Sequence, residues 1–507
     1  MPEPPHNERS SRGPVTTEPT AIAAAVRRGL LWSTLNGVAL RLGSLAVGMV
    51  LARLLSPEDF GVYAIALTVQ AVLATLVDLG LSADLVRAED PARRAPTVAT
   101  LSLCSGVALA LAMTAAARPV AALMGAPEAT AVVAVLSWTL VLTSAGVVPY
   151  ALLQRGFQQR RLFGSSVADF TVGTTVAIAL ILLGMGPIAL AIGRLAGQTI
   201  ATTAQFLLAR VRPRFGFDRS IARSSLGLGV PLAGANVLSW ALLNVDNVVI
   251  AHVAGTTALG LYVLAFNVSS WPMSAIGQAV RSVSLAGFSR TAHDATDRGF
   301  TRAMSLTWAA ALLAGTMLAA LAHPLVLALY GSRWSASGAV LAALGLFGAL
   351  RVALDLIATY LVARGAARPV LYVQVLWSAA LIPAVVVATR ANGIAGAGWA
   401  HVAVAALLIL PAYAVALARV GLPVRALVRS MWPPTVAAVP AWYAAHALAT
   451  EVQAPLPALV VGGLAGSATY LVICWRWLRR LLPGAVRLRR RRSARLVEQP
   501  ATGEAAT

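Results

Sequence analysis

The sequence has no lysine, and acidic residues are scarce too: 40 basic positions, every one an arginine, stand against 19 aspartates and glutamates in 507 residues. Charged residues make up 12% of the chain and hydrophobic ones 58%. With a mean hydropathy of +0.76, this composition exceeds what the core of a water-soluble domain requires, so lipid is the solvent for most of the chain. The two cysteines, Cys104 and Cys474, lie far apart inside apolar runs, which excludes a disulfide framework and a cysteine metal site. The six histidines have no metal-ligand spacing, and no nucleophile–base set or glycine-rich phosphate loop is present. No metal and no cofactor are expected.

Long polar segments are missing as well. No stretch between apolar runs exceeds about 25 residues, which leaves no room for a folded soluble catalytic domain. A net charge of +21 raises nucleic acid as a partner, but the arginines sit in short gaps between apolar runs rather than on one soluble face. A membrane topology signal explains them better, and no nucleic acid is expected.

A spanning helix needs about 20 mainly apolar residues. By that measure the sequence predicts an all-α polytopic membrane protein of fourteen spans, at roughly 30–52, 61–83, 97–117, 130–152, 164–185, 187–208, 227–251, 259–280, 304–328, 337–360, 369–388, 395–417, 434–449 and 457–475, the thirteenth being short. The first run is too long for a signal-peptide core and is read as a retained span. If the N-terminus is cytoplasmic, the cytoplasmic segments hold 33 arginines and the outer loops only four, Arg53, Arg118, Arg333 and Arg390. Positive charge belongs on the cytoplasmic side, so both termini are expected there, in the cell inner membrane. Three arginines, Arg41, Arg194 and Arg351, fall within spans.

At an offset of 199 residues, VLARLLSPEDFGVYAIALTVQ from Val50 lies over VIAHVAGTTALGLYVLAFNVS from Val249 without a gap. Val50, Ala52, Gly61, Tyr63 and Ala66 meet Val249, Ala251, Gly260, Tyr262 and Ala265, at the first loop and second helix of each six-helix set. Six spans per repeat give two lobes of the same orientation, an arrangement that clasps a substrate between them. The expected organisation is a cytoplasmic tail (1–28), a first lobe (29–209), a basic linker (210–226), a second lobe (227–418), two added helices (419–480) and a basic cytoplasmic tail (481–507).

Several segments carry a family resemblance: LARLLSPEDFGVYA from Leu51, DLGLSADLVR from Asp78, LLQRGFQQRRLF from Leu152, NVDNVVIAHVAG from Asn244, LYGSRWSASG from Leu329 and NGIAGAGWA from Asn392. In their order and spacing they resemble the oligosaccharide flippases of bacterial polysaccharide export, in the superfamily that also holds MATE-type multidrug exporters and lipid II flippases. The resemblance implies a two-lobed transporter that passes an undecaprenyl-diphosphate-linked glycan from the cytoplasmic to the outer leaflet.

An arginine near mid-span costs about 2.5 to 3.5 kcal/mol on insertion scales, so Arg41, Arg194 and Arg351 require a reason. Ser33, Gly37, Arg41 and Ser44 share one face of the first helix, and Arg194, Gln198, Thr202 and Gln205 share one face of the sixth. Guanidinium groups facing a wet cavity suit a diphosphate; the alternative is that each neutralises a carboxylate, as Asp355 one turn after Arg351 invites. Asp169 and Asp355 lie deepest among the carboxylates and are the candidates for ion coupling, whereas Asp78, Asp84 and Asp246 lie near predicted helix ends and read as structural. Asn236, Asn244 and Asn247 on helix seven, and Asn267 and Gln278 on helix eight, either contact sugar hydroxyls or bond between helices. The run from Arg487 to Arg495 suits anchoring to anionic membrane lipids or docking of the pathway's glycan polymerase and glycosyltransferases.

The reading that follows is a flippase for a lipid-linked oligosaccharide, not an enzyme. The competitors are a drug or organic-cation exporter of the same superfamily and a membrane glycosyltransferase, polymerase or ligase. The first would need an acidic or aromatic cavity, and the second a large outer loop or an acidic metal motif.

Overall fold

The computed structural model describes residues 43–78, 80–288 and 293–481, without the side chains at 78, 228, 230–232, 235–243 and 278–298. In chain order the helices are α1 (Gly43–Leu54), α2 (Pro57–Asp78), α3 (Leu81–Arg87), α4 (Pro91–Ala115), α5 (Ala117–Leu123), α6 (Thr130–Ser137), α7 (Thr139–Arg155), α8 (Gln159–Leu182) and α9 (Pro187–Ala209). The second half holds α10 (Arg219–Phe288), α11 (His293–Ala320), α12 (Ala322–Tyr330), α13 (Ser337–Ala363), α14 (Ala367–Val404), α15 (Leu410–Arg419), α16 (Val424–Thr450) and α17 (Pro455–Leu481). No strand occurs among the described residues. In lipid, only structures that satisfy their own backbone hydrogen bonds span the bilayer, and helices do so within a single segment.

Local chemistry sets the helix starts. Ser56 and Asp59 cap α2 reciprocally, Ser56 Oγ accepting from the Asp59 N–H at 3.1 Å and Asp59 Oδ2 from the Ser56 N–H at 3.0 Å, with Pro57 between them. Asp90 accepts from the Arg93 N–H at 3.2 Å to start α4, and Asp218 accepts from the Ser220 and Ile221 N–H groups at 2.8 and 3.3 Å to start α10.

Nine described segments are long and apolar enough to cross a membrane. Two of these fold back on themselves. Within α10 the backbone leaves helical geometry at Gly255 (φ 84°), and Tyr262 Oη donates to Asp246 Oδ2 at 2.7 Å. Sixteen residues along a continuous helix would span about 24 Å, so the two arms of α10 are side by side. Within α14 the break falls at Asn392 and Gly393, and a Cβ on Gly396 would lie 2.0 Å from the Ala388 carbonyl oxygen. Helices α9 and α16, of 23 and 27 residues, are also long enough to span but are richer in polar residues or proline, and α1 is the described part of the first span. Over its described residues, each predicted span thus corresponds to helical segments.

Several predicted edges move. The second span ends at Asp78 rather than 83, because Gly80 (φ 66°) turns the chain before α3. The ninth is divided at Leu321 between α11 and α12. The thirteenth is not short: α16 begins at Val424 and continues through Pro433, Pro434 and Pro440, prolines that lipid-embedded helices tolerate when neighbours supply alternative bonds.

Two six-helix lobes make the body of the protein, with α16 and α17 outside the repeat. These last helices form a hairpin in which a Cβ on Gly462 would meet the Ala445 carbonyl oxygen at 2.6 Å. The hairpin is tied to α11 by Trp308 Nε1 donating to Thr435 Oγ1 (2.9 Å) and Tyr470 Oη donating to the Ala309 carbonyl (3.0 Å). Large apolar side chains such as Leu183, Leu407 and Val472 remain exposed, as lipid-facing positions should.

The lobes meet along α2 and the second arm of α10. A Cβ on Gly61 would lie 1.8 Å from the Thr256 carbonyl oxygen, and one on Gly260 would lie 1.8 Å from that of Pro57. Both contacts obey the 199-residue offset with partners exchanged, which is the signature of a twofold contact. At the same end Trp334 Nε1 donates to the Ala52 carbonyl at 2.7 Å, and the Phe60 ring meets Trp334 edge-on at 5.0 Å. At the opposite end Asp84 receives both Arg94 (3.0 and 3.1 Å) and Ser225 Oγ (2.8 Å), joining the α3–α4 corner to the first arm of α10.

Candidate functional site: an arginine–aspartate cavity in the first lobe

Small residues bring α8 and α9 together. A Cβ on Gly193 would lie 2.6 Å from the Gly173 carbonyl oxygen, and one on Gly197 would lie 2.5 Å from Asp169 Oδ1. Close backbone approach of this kind is how helices associate in lipid, where apolar side chains gain nothing from leaving their surroundings. It also fixes where the two charged side chains meet: Arg194 of α9 donates to Asp169 Oδ2 of α8 at 3.1 Å, with 42% and 22% of the side chains exposed.

The pair lines a 550 Å³ cavity between α1, α2, α8 and α9. Ser44, Ser166, Thr174 and the Tyr63 ring are the other polar groups of the lining, and Val47, Leu51, Phe60, Phe170, Ala177 and Leu190 supply its apolar surface. A guanidinium has five N–H donors in a planar fork, so one bond to Asp169 leaves capacity for an anionic oxygen. The geometry suits an amphiphile with an anionic group joined to a hydrocarbon chain.

The predicted site residues separate into several places. Arg194, Asp169 and Ser44 share the cavity, whereas Arg41 and Ser33 lie outside the described residues. Gln198 Nε2 donates to Thr202 Oγ1 at 3.4 Å, and Thr202 is buried against α7, donating to the Leu142 carbonyl at 3.1 Å. That part of the α9 stripe is interhelical in this conformation because α7 covers it. Arg351 and Asp355 are on α13 of the second lobe and do not line the cavity. Asn247 Nδ2 donates to Thr68 Oγ1 at 3.2 Å, linking the lobes; Asn244 is half-buried and Asn267 exposed. Asn236 and Gln278 belong to the α10 backbone, with side chains outside the described set.

One predicted assignment is corrected. Asp246 reads as a helix-end residue with cheap solvation, yet it is 7% exposed, since the reversal at Gly255 folds the second arm of α10 over it. His401, also unflagged by spacing, is 3% exposed with Nε2 at 3.8 Å from Asp246 Oδ2. No local signal marks His401; its meaning depends on comparing the two lobes.

The sequence profile of a family described as polysaccharide biosynthesis protein matches residues 50–339. The succinoglycan biosynthesis transport protein ExoT of Rhizobium meliloti is 31% identical over 65% of this chain and 67% of its own. The lipopolysaccharide biosynthesis protein WzxC of Escherichia coli is 22% identical over 84% of this chain and 88% of its own. Among solved structures, lipid II flippase MurJ in an inward closed conformation superposes with a TM-score of 0.74 at 15% identity, over 89% of this chain and 100% of that one. An inward-facing MATE-family multidrug transporter gives 0.61 at 18% identity, over 76% and 95%. The fold is therefore that of two-lobed MurJ- and MATE-like transporters, and the chain, whose matched segment includes α2 through α12, belongs to the polysaccharide biosynthesis protein family.

Proposed function

We propose that this protein is a flippase that moves a polyprenyl-diphosphate-linked oligosaccharide across the cytoplasmic membrane for cell-surface polysaccharide biosynthesis. The observation that carries the reading is the cavity of the first lobe, where the Arg194–Asp169 pair shares a largely apolar lining with a few hydroxyl groups. Relatives named for succinoglycan transport and lipopolysaccharide biosynthesis support the cargo class. It is a transporter rather than an enzyme.

The chemistry divides the cargo. The diphosphate competes with Asp169 for the Arg194 fork, the sugars cross in the polar interior, and the polyprenyl tail stays in lipid. The lobes rock about the α2–α10 contact, so that the end held by Asp84, Arg94 and Ser225 and the end held by Trp334 and Ala52 open in turn. The arginine distribution supports cytoplasmic N- and C-termini, which assigns the Asp84 end to the cytoplasm. Arg41 and Arg351 remain candidate phosphate contacts, Asp355 a candidate for ion coupling, and the pathway's polymerase and glycosyltransferases candidate partners.

The test is translocation of a fluorescent polyprenyl-diphosphate oligosaccharide in proteoliposomes, comparing the intact protein with Arg194→Ala. Transport that falls at least tenfold in a variant that inserts normally supports the reading. Unchanged transport removes Arg194 from the site, and efflux of organic cations with no glycan transport overturns the flippase reading.

A further inference from the structure

The break before α9 and the break inside α14 have the same backbone shape: Gly186 has φ 58° and ψ −141°, and Gly393 has φ 58° and ψ −148°. Both glycines begin the sixth span of their lobe. Counting eight residues onward from each reaches Arg194 and His401. The correspondence holds in space as well, for Tyr63 is within electrostatic reach of Arg194 and Asp169, while Tyr262, its partner at the 199-residue offset, has its ring 6.3 Å from that of His401. Each lobe therefore sets a tyrosine of its second span beside a basic residue of its sixth and an aspartate. In the first lobe the basic residue is an arginine, which keeps its charge; in the second it is a histidine, a side chain able to take up and release a proton.

We propose that His401 and Asp246 form a proton-binding pair in the second lobe, and that its occupancy sets the strength of the contact between the lobes. His401 Nδ1 lies 2.9 Å from the Ala397 carbonyl and donates to it, so in the neutral ring the lone pair is on Nε2. That nitrogen faces Asp246 Oδ2 at 3.8 Å, with side chains 4% and 9% exposed. A lone pair opposite a buried carboxylate is unfavourable, whereas one added proton turns the same geometry into an ion pair.

Among the described residues, α10 and α13 supply the other groups that face the pair. Tyr262 of the second arm of α10 donates to Oδ2, and the Asn247 N–H donates to Oδ1 at 3.0 Å. From α13 come the Phe347 ring, 5.0 Å from the imidazole, and Arg351, which acts electrostatically on Tyr262; Asp355 lies one turn further along α13. A π turn over Ala405–Ile409 begins one helical turn after His401, a distortion that recurs at functional positions in helices.

Asn247 is the connection to the first lobe. Its backbone N–H holds Asp246 and its amide donates to Thr68 of α2. Protonation pulls the His401 segment toward Asp246 and steadies this chain of bonds, while loss of the proton leaves a buried negative charge held by hydrogen bonds from Tyr262 and Asn247. The inference extends the transporter reading but does not depend on the cargo, since the proton and the lobe contact are observable without glycan.

Spin labels at Arg118→Cys and Arg333→Cys, in a Cys104→Ser and Cys474→Ser background in lipid nanodiscs, report the separation of the lobes by pulsed electron resonance. The short-distance population should dominate in acid and decline as the pH is raised. His401→Gln and Asp246→Asn should each abolish that dependence. An inserted His401→Gln variant with unchanged pH response overturns the proposal, as does a response to sodium instead of protons. Should both substitutions prevent insertion, ¹⁵N-histidine NMR of the unsubstituted chain decides: a buried ring that titrates in step with the lobe distances supports the pair, and none that titrates refutes it.

Discussion

Gly61 and Gly260 face each other across the junction of the lobes, each with its backbone against the carbonyl of the other's partner, Thr256 for Gly61 and Pro57 for Gly260. The two contacts are the same contact seen from either side of a pseudo-twofold axis. Only hydrogen fits at these positions, so the glycines allow α2 and the second arm of α10 to touch backbone to backbone.

Adding a single methyl here should separate the lobes. Gly61→Ala and Gly260→Ala each need a carbonyl oxygen 1.8 Å from the new Cβ to move, and overpacking of this kind costs typically about 1 to 3 kcal/mol. The expected outcome is a lower melting temperature in detergent for both variants, by similar amounts because the sites are equivalent. A neutral result for either would remove the twofold contact as a determinant of stability.

Asp169 is a competitor for any anion that approaches Arg194, so Asp169→Asn should bind a polyprenyl diphosphate more tightly than the parent. A gain of about tenfold, which corresponds to about 1.4 kcal/mol, is the expected size. Binding of farnesyl diphosphate in nanodiscs measures it. Weaker binding in Asp169→Asn would mean that the aspartate positions the guanidinium rather than competing with the ligand.

At the other end, Ser225→Ala removes the 2.8 Å bond from Ser225 Oγ to Asp84 while leaving the Arg94 pair intact. A hydrogen bond to a charged group contributes about 1.5 to 3 kcal/mol, enough to shift a two-state opening by tenfold or more. Cysteine accessibility at Ser224 from the aqueous phase should increase correspondingly, with no change at positions near Trp334.

Asp218 starts α10 from the linker, and its carboxyl is held below the ordinary carboxylate range, first by the Ser220 hydroxyl and then by the Ser220 and Ile221 N–H groups. A lowered value means that the folded state prefers the ionised form. The stabilisation is therefore complete above the ordinary aspartate range, near pH 4, and is lost as pH falls through the lowered value. Amide exchange at Ser220 and Ile221, measured against a reference amide in the α10 interior, should show protection that declines only in that acidic window. Asp218→Asn should flatten this dependence.

Spans, their number and the lobe repeat were legible in the sequence because each depends on short-range or periodic information: apolar length against bilayer thickness, arginines in the gaps, and a segment that recurs 199 residues later. The pairing of Arg194 with a carboxylate was legible only as one of two alternatives, since the sequence places Asp169 on another helix without saying which face it presents. The glycines at 173, 193 and 197 decided it by bringing α8 against α9.

Composition and periodicity thus determined that this chain is a helical, two-lobed membrane protein with charged groups inside its spans. Tertiary structure decided which of those groups meet. The chain reversal at Gly255 put Tyr262 onto Asp246, the one at Gly393 brought His401 beside them, and burial on both sides removed the solvent that a helix-end aspartate otherwise keeps. Helix periodicity describes neighbours three or four residues apart, and these contacts join residues separated by a turn of the chain or by more than a hundred positions. Their chemistry exists only where the fold closes the distance.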